Sequence, residues 1–200
     1  MTDAIFDPQP VVLTGTTIRL EPLGLQHAPD LLQAAAEKSI WSYMPLSGFP
    51  DLEATETWIR DSLAAQSAGT DLPFAVVLAD TGVAVGSTRY MDIRRAHRGL
   101  EIGWTWLAPG VQRTRVNSET KYLLLTHAFE TLGAVRVQLK TDARNTRSQR
   151  AIERIGAVME GAHRRHMLTW DGHIRDTIYY SILDTEWPQV KQKLQVILAR

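Results

Sequence analysis

Apolar positions along this chain change period several times. Over residues 11–21 they alternate, with Ile18 and Leu20 set against Arg19 and Glu21, which predicts a strand. Over 25–38 the spacing lengthens. Leu25, Ala28, Leu31, Leu32 and Ala35 fall on one helical face, and Pro29 is tolerated in a first turn. Residues 39–50 form an aromatic, proline-bearing loop. Asp51 then has the residue type of an N-cap for a second helix, with Trp58, Ile59 and Leu63 inward. Alternation returns over 74–79 and 83–91, around the hairpin signal Asp80-Thr81-Gly82. It continues over 100–107, where Leu100, Ile102, Trp104 and Trp106 share one face and Glu101, Gly103 and Thr105 the other. A helix is predicted over 118–132 from the spacing of Tyr122, Leu125, Phe129 and Leu132, with Gly133 beyond its end. A short strand over 135–140 follows. Asn145 caps a short helix ending at Ile155-Gly156. Strands over 163–170 and 173–183 flank the hairpin turn Asp171-Gly172, and 186–200 forms a terminal helix or tail.

The predicted order is β-α-α-β-β-β-α-β-α-β-β. That is an α/β chain of mixed α+β character. Its central sheet has about seven strands, mostly antiparallel, flanked by helices, with one parallel βαβ crossover joining 100–107 to 135–140. The expected division is a loose leader over 1–10, a domain over 11–185 and the terminal helix or tail. At 200 residues and 44% hydrophobic content, one core can form without staples. Lys and Arg number 22, as do Asp and Glu, and this balance argues against a protein that coats nucleic acid or an acidic membrane. With no cysteine, disulfides, thiolate metal sites and covalent cysteine chemistry are excluded. No apolar run approaches the roughly 18 residues of a membrane span, and the acidic start does not resemble a signal peptide. A cytoplasmic location is expected.

Two stretches carry candidate chemistry. The first is the turn from Pro109 to Ser118, between a strand and a helix. Such a turn presents unpaired N–H groups and the positive end of the helix dipole, and Arg113 and Arg115 add charge, so it suits a phosphate. The alternative is an ordinary turn with solvated arginines. The second is the basic face formed by Arg144, Arg147, Arg150 and Arg154. Over 140–154, five cations oppose Asp142 and Glu153, for a local charge of +3. A polyanionic ligand and a solvated helix face are both compatible with it.

The residues also carry a resemblance. The opening Thr17-Ile18-Arg19-Leu20-Glu21-Pro22-Leu23, the strand Leu100-Glu101-Ile102-Gly103-Trp104 and the loop from Gln112 to Glu119 come first. Asn145-x-x-Ser148-x-x-Ala151-Ile152-x-x-Ile155-Gly156, Glu160-Gly161 and Asp171-Gly172-x-x-Arg175-Asp176-Thr177 follow. In this order, over about 11–185, the set resembles the GNAT superfamily of N-acetyltransferases, in the branch similar to ribosomal-protein alanine N-acetyltransferases. The resemblance implies acetyl-CoA as donor, no metal, and a small-molecule amine or a protein N-terminus as acceptor. Neither a nucleic-acid nor a membrane partner is implied, and a homodimer is open.

The resemblance places the donor diphosphate on the loop that begins at Gln112, over the amides of Arg113, Thr114, Arg115, Val116, Asn117 and Ser118. The pantetheine arm falls on the backbone of Trp106 and Leu107, where the parallel strands should splay. Asn145 and Arg147 complete the donor side. The chain departs from the family pattern, since Arg115 and Asn117 stand where glycines are usual. If that loop needs positive φ there, Arg115 would be strained. Glu101 is the candidate base, as the one carboxylate on its strand face. An apolar cleft would raise its pKa and suit it to that work, and the alternative is a salt bridge to Arg98 or Arg89. Ser148 is the candidate proton donor to the leaving thiolate, and Ile152 occupies the place of the tyrosine acid of many relatives. Trp41 and Tyr43 border the acceptor side, where Arg89 is also assigned, with a hydrophobic lid over the core as the alternative for the loop aromatics. Trp104 and Trp106 are expected in the core. His163 and His166 should face opposite ways on their strand, which disfavours a metal site. A non-catalytic CoA-binding sensor of the same fold is the rival reading.

Overall fold

In the computed structural model, which describes residues 6–199, eight strands form one sheet in the order β1-β2-β3-β4-β5-β6-β8-β7. They are β1 (Leu13–Thr14), β2 (Ile18–Pro22), β3 (Leu72–Leu78), β4 (Ala84–Arg94), β5 (Gly99–Leu107), β6 (Arg136–Asp142), β7 (Val158–Leu168) and β8 (Ile174–Leu183). All neighbours run antiparallel except β5 and β6. The mixed α/β architecture expected from the periodicity is therefore present, with the two-residue β1 as an eighth strand. The strand expected over 11–21 is broken at Gly15–Thr17. There the Glu119 carboxylate accepts the amides of Thr16, Thr17 and Ile18 at 2.6, 2.8 and 3.2 Å and draws the chain onto the crossover helix.

Among the described residues five α-helices cover the two faces: α1 (Ala28–Ala34), α2 (Leu52–Ser67), α3 (Val116–Thr126), α4 (Thr146–Arg154) and α5 (Trp187–Leu198). On one face, Val116, Leu124 and Leu125 of α3, Ile152 of α4, and Val190 and Leu194 of α5 pack on Leu100, Ile102, Val137, Leu139, Tyr180 and Ile182. On the other, Leu31, Trp41 and Ile59 pack on Ala75, Val77 and Trp106. The terminal helix thus docks on its own domain. The leader also contributes from Phe6 onward, because its ring is 3% exposed and belongs to the first core; residues 1–5 lie outside the described part. The first helix stops at Ala34, and Lys38–Trp41 forms a separate 3-10 turn. α3 continues into a π-helical turn, His127–Thr131, before Gly133 adopts φ +69°. No helix among the described residues is long and apolar enough to cross a membrane.

Strict alternation fails in β5. Ser87 pairs with Trp106 while Arg89 pairs with Gly103, so β5 carries one extra residue, and Trp104 there has φ +51°. This bulge reverses the facing of everything after it. Leu100 and Ile102 enter the first core, whereas Trp106 enters the second and Trp104 is only half-buried. The four do not share a face, and Trp104 is not a core residue.

Candidate active site

The crossover leaves a gap in the sheet. β5 and β6 pair only through Gly99, Leu100 and Glu101, opposite Arg136, Val137 and Gln138. Beyond that they part, and the β6-facing edge of β5 from Ile102 to Leu107 has no strand partner. A cavity of about 540 Å³ fills the gap and is lined from both faces of the sheet. Leu139, Lys121, Asn117, Ser148 and Ile152 line it on the α3 side; Glu101, Lys140, Met91, Tyr43, Met44 and Arg175 line it on the other.

On the α3 side the chemistry is mostly backbone. The amides of Arg113, Thr114, Arg115, Asn117 and Ser118 make no hydrogen bond among the described residues, and the Val116 amide reaches only the Thr114 hydroxyl at 3.3 Å. Positive φ occurs at Arg113 (φ +63°), whereas Arg115 has φ −68° and Asn117 lies in α3. The strain expected at Arg115 is thus absent, because the turn reverses two residues earlier. Gln112 and Arg147 link the two sides of the cleft mouth: Gln112 Nε2 donates to the Leu107 carbonyl at 2.9 Å, and Arg147 Nη1 donates to Gln112 Oε1 at 2.8 Å. The Asn145 Oδ1 caps α4 by accepting the Ser148 amide at 3.0 Å. Arg154 Nη2 donates to Ser118 Oγ at 3.1 Å, and Arg115 reaches the Leu198 carbonyl. A second groove, about 1020 Å³, continues from this loop between α4 and α5, lined by Arg113, Thr114, Arg115, Ser118, Arg154 and Lys193 among others. Trp106, Leu107, Gln112, Arg113, Thr114, Asn117, Asn145, Arg147 and Ser148 line the sheet cavity; Arg115 and Ser118 line the second groove, and Val116 is buried in the core.

Sequence reasoning did not find Lys121. It is 6% exposed, and its Nζ donates to Thr105 Oγ1 at 2.7 Å, which in turn meets Thr88 Oγ1 at 2.8 Å. No carboxylate lies within 4 Å of it among the described residues. Burial without a counter-charge lowers its pKa to about 7. Its place on the inward stripe with Leu124 and Leu125 was the available signal, although a lysine there reads equally well as a snorkelling surface residue.

On the opposite side the chemistry is in charged side chains. Glu101 is 1% exposed, and its cleft is not apolar: Oε2 accepts from Gln138 Nε2 at 2.9 Å and pairs with Lys140 Nζ at 3.1 Å. Its other oxygen, Oε1, lies over Gly103, where a Cβ would come within 2.9 Å of it. The ion-pair partner is thus Lys140 rather than Arg98, which holds the Gly133 carbonyl, or Arg89. Arg89 does not line the cavity. It pairs with Asp71 at 2.9 Å, donates to Ser62 Oγ at 3.1 Å and lies 5.0 Å from the Trp104 ring centre. Trp41 is also outside the cavity: its Nε1 donates to the Ala35 carbonyl at 2.9 Å and its ring packs on Trp106, which is the hydrophobic-lid alternative. Tyr43 does line it, beneath Arg144 at 5.6 Å. Asp142 is buried. Burial alone would raise its pKa, but the hydrogen bonds from Arg144 outweigh that and leave it lowered.

His163 and His166 do not face opposite ways. His163 pairs opposite Thr177 and Met167 opposite Arg175, so β7 bulges by two residues, with Arg165 at φ +50°. The two rings come within 5.3 Å of each other and both flank Tyr179. No group of three or more His, Cys, Asp or Glu that could hold a metal ion occurs among the described residues.

Comparison with known proteins adds to this geometry. Residues 17–158 match the family model of the Acetyltransferase (GNAT) domain. The Bacillus subtilis (strain 168) protein named "Putative ribosomal N-acetyltransferase YdaF" is 31% identical over 106 residues, which is 53% of this chain and 57% of that protein; the match spans little more than half of that relative's length. A GCN5-related N-acetyltransferase from Brucella melitensis superposes with a TM-score of 0.89 at 30% identity, covering 95% of this chain and 86% of that one. Mycobacterium smegmatis RimJ, in complex with CoA-disulfide, shares the fold with a TM-score of 0.79 at 21% identity, covering 94% and 92%.

Proposed function

Since the chain belongs to the GNAT family of acetyltransferases, we propose that it moves an acetyl group from acetyl-CoA to a primary amine by direct attack, with both substrates bound together. One observation carries this reading: a single cavity crosses the sheet where β5 and β6 part, joining a run of unpaired amides to a buried carboxylate. The residues present fit the donor. Unpaired N–H groups at Arg113, Thr114, Arg115, Asn117 and Ser118, at the start of α3, suit a diphosphate, and Arg113 and Arg115 add charge. The free edge of β5 around Trp106 and Leu107, apart from the Leu107 carbonyl that Gln112 holds, offers main-chain groups to an extended amide-bearing arm, as a missing strand would accept them. Asn145 keeps its Nδ2 for an amide carbonyl while Oδ1 caps α4. The Mycobacterium smegmatis RimJ complex with CoA-disulfide supports a CoA species in this fold.

The donor supplies an acyl carbonyl activated as a thioester. The chain must then do three things. Glu101 takes the proton of the acceptor amine, directly or through one water, at Oε1, because Oε2 is held by Gln138 and Lys140. Main-chain N–H groups on the unpaired edge of β5 meet the negative charge that develops at the carbonyl oxygen. Ser148, in the first turn of α4 and on the cavity wall, gives its hydroxyl proton to the departing sulfur and takes one back from water in the open cavity. Lys140 and Arg175 on the cavity wall beside Glu101 disfavour polycationic acceptors.

The test is calorimetric titration of acetyl-CoA at two salt concentrations, followed by release of free CoA thiol with a panel of amines. Micromolar, salt-weakened binding with thiol release supports the reading. Binding without release from any amine supports the CoA-binding sensor, and absence of binding removes the acyltransferase reading and leaves the fold.

A further inference from the structure

The acceptor side is paired charge by charge, with one exception. Glu101 pairs with Lys140 at 3.1 Å, and Asp142 with Arg144 at 2.8 Å. Arg175 remains. It sits on β8 directly below the turn at Asp171-Gly172, is 6% exposed, and lines the cavity from the Glu101 face of the sheet. Its Nε donates to Thr177 Oγ1 at 3.0 Å, which fixes the plane of the guanidinium. Its two Nη nitrogens make no hydrogen bond among the described residues, and no carboxylate lies within 4 Å of it there. Asp142 and Glu101 act on it only through space, so the fork has no carboxylate in contact, and its flat geometry matches one bidentately. Roofing this side, the tip of the β7–β8 hairpin is pinned to the segment carrying Tyr43 by Trp170 Nε1, which donates to the Trp41 carbonyl at 3.2 Å. A ligand under that roof meets the carboxylate Glu101 and the unpaired guanidinium Arg175 in one cavity.

We propose that Arg175 binds a carboxylate of the acceptor, so that the substrate class is amines that also carry a carboxylate. This rests on the acyltransferase reading above and deepens it. An ammonium entering beside Glu101 and a carboxylate entering beside Arg175 bring no net charge into the cavity, and the carboxylate supplies the direct partner that Arg175 lacks while Glu101 keeps Lys140. Two sources offer this chemistry: the α-carboxylate of a free amino acid, or an acidic side chain next to the amino end of a peptide.

The test compares each acceptor with its neutral isostere. The twenty amino acids are assayed against their carboxamides, and dipeptides ending in Asp or Glu amide against those ending in Asn or Gln amide, by CoA thiol release. The proposal expects the carboxylate form to lead in kcat/KM by about tenfold or more, because the amide cannot accept both guanidinium N–H groups as a charged pair. The free amino acids leading identifies the first source, the dipeptides the second. In R175M the ratio of carboxylate to amide should fall to near one, with R175K in between. Equal rates for acids and amides in the parent protein overturn the proposal without any variant, as does a ratio that survives in R175M. Binding of N-acetyl amino acids and their amides, measured by calorimetry on the parent and on R175M, gives an arm that needs no turnover. If acetyl-CoA fails to bind while N-acetyl amino acids bind through Arg175, the donor reading falls and the carboxylate site stands. If acetyl-CoA binds and carboxylates gain nothing from Arg175, the reverse holds.

Discussion

The two sides of the gap between β5 and β6 are built from different materials. The α3 side offers main-chain groups: a run of unpaired amides before α3 and the free edge of β5. The opposite side offers side chains: Glu101 with Lys140, Asp142 with Arg144, and Arg175. Main-chain recognition depends on where a strand ends and a helix begins, and it tolerates side-chain change. That explains how Arg115 and Asn117 can stand where glycines are usual without distorting the loop. Side-chain recognition depends on which residues meet across the fold, and each substitution there alters a charge in a cavity. The α3 side therefore suits an invariant donor, and the other side a particular acceptor.

The sharpest way to break this division is Glu101→Gln. It should lower kcat/KM for amines by about 10² to 10⁴, the usual weight of a proton-transfer group, while acetyl-CoA affinity changes less than about twofold. Because the change also frees Lys140, a thermal melt must accompany the kinetics. Lys140 is 22% exposed at its side chain and can turn to water, so the fold should survive. A large loss of acetyl-CoA affinity in this variant would mean that the two sides are one site and not two.

Lys121 is the place where the α3 side departs from main-chain chemistry, and pH exposes it. Its folded pKa of about 7 lies below the unfolded value near 10.4. Between those values the unfolded chain binds more protons, so stability rises with pH through that window and is lowest below pH 7. The part of that window between pH 7 and pH 10 corresponds to about 4 kcal/mol. Lys121→Met should therefore stabilise the protein most at pH 6, with the gain shrinking by about that amount as pH approaches 10. Urea titrations of both proteins at pH 6, 8 and 10 check it. A gain independent of pH would mean that the lysine is charged and satisfied in the folded state.

Ser148→Ala probes the meeting point of the two sides. The thiolate is a good leaving group, so the loss in kcat should be near tenfold, with KM for acetyl-CoA little changed, since the Asn145 cap uses the backbone of Ser148 and not its hydroxyl. Single-turnover kinetics at low and high pH would show the deficit growing as pH rises, where water is a poorer proton source.

The same division separates what the sequence disclosed from what it did not. The α3 side was legible, because a strand, a Pro-Gly turn and a helix in succession specify its amides wherever the rest of the chain goes. The Asn145 cap and the splay of the parallel strands followed from the same local grammar. The other side was not. Lys140 meets Glu101 through strand pairing between β5 and β6, and Arg175 arrives from β8, so no spacing along the chain announces them. Trp104 and the His163–His166 pair were misplaced for one shared reason: a bulge adds residues to one strand only, and alternation read from one strand cannot register it. Arg89 and Trp41 lie where the topology required, but Asp71, Ser62 and the Ala35 carbonyl engage their polar groups.

The smallest effect is the most exacting for the claim that the donor is held by backbone. Arg113 holds φ +63°. An arginine in that region costs about 1 to 2 kcal/mol, whereas glycine adopts it freely but loses roughly 0.5 to 1 kcal/mol more chain entropy on folding. Arg113→Gly should thus leave stability unchanged or raise it by up to about 1 kcal/mol. The amides that line the loop remain in place. If they carry most of the binding, acetyl-CoA affinity should drop by only the few-fold that one partly solvated cation contributes, and its salt dependence should flatten slightly. If affinity collapses while the melting temperature holds, the arginine side chain is doing what main-chain groups were assigned, and the two sides of the gap are more alike than their construction implies.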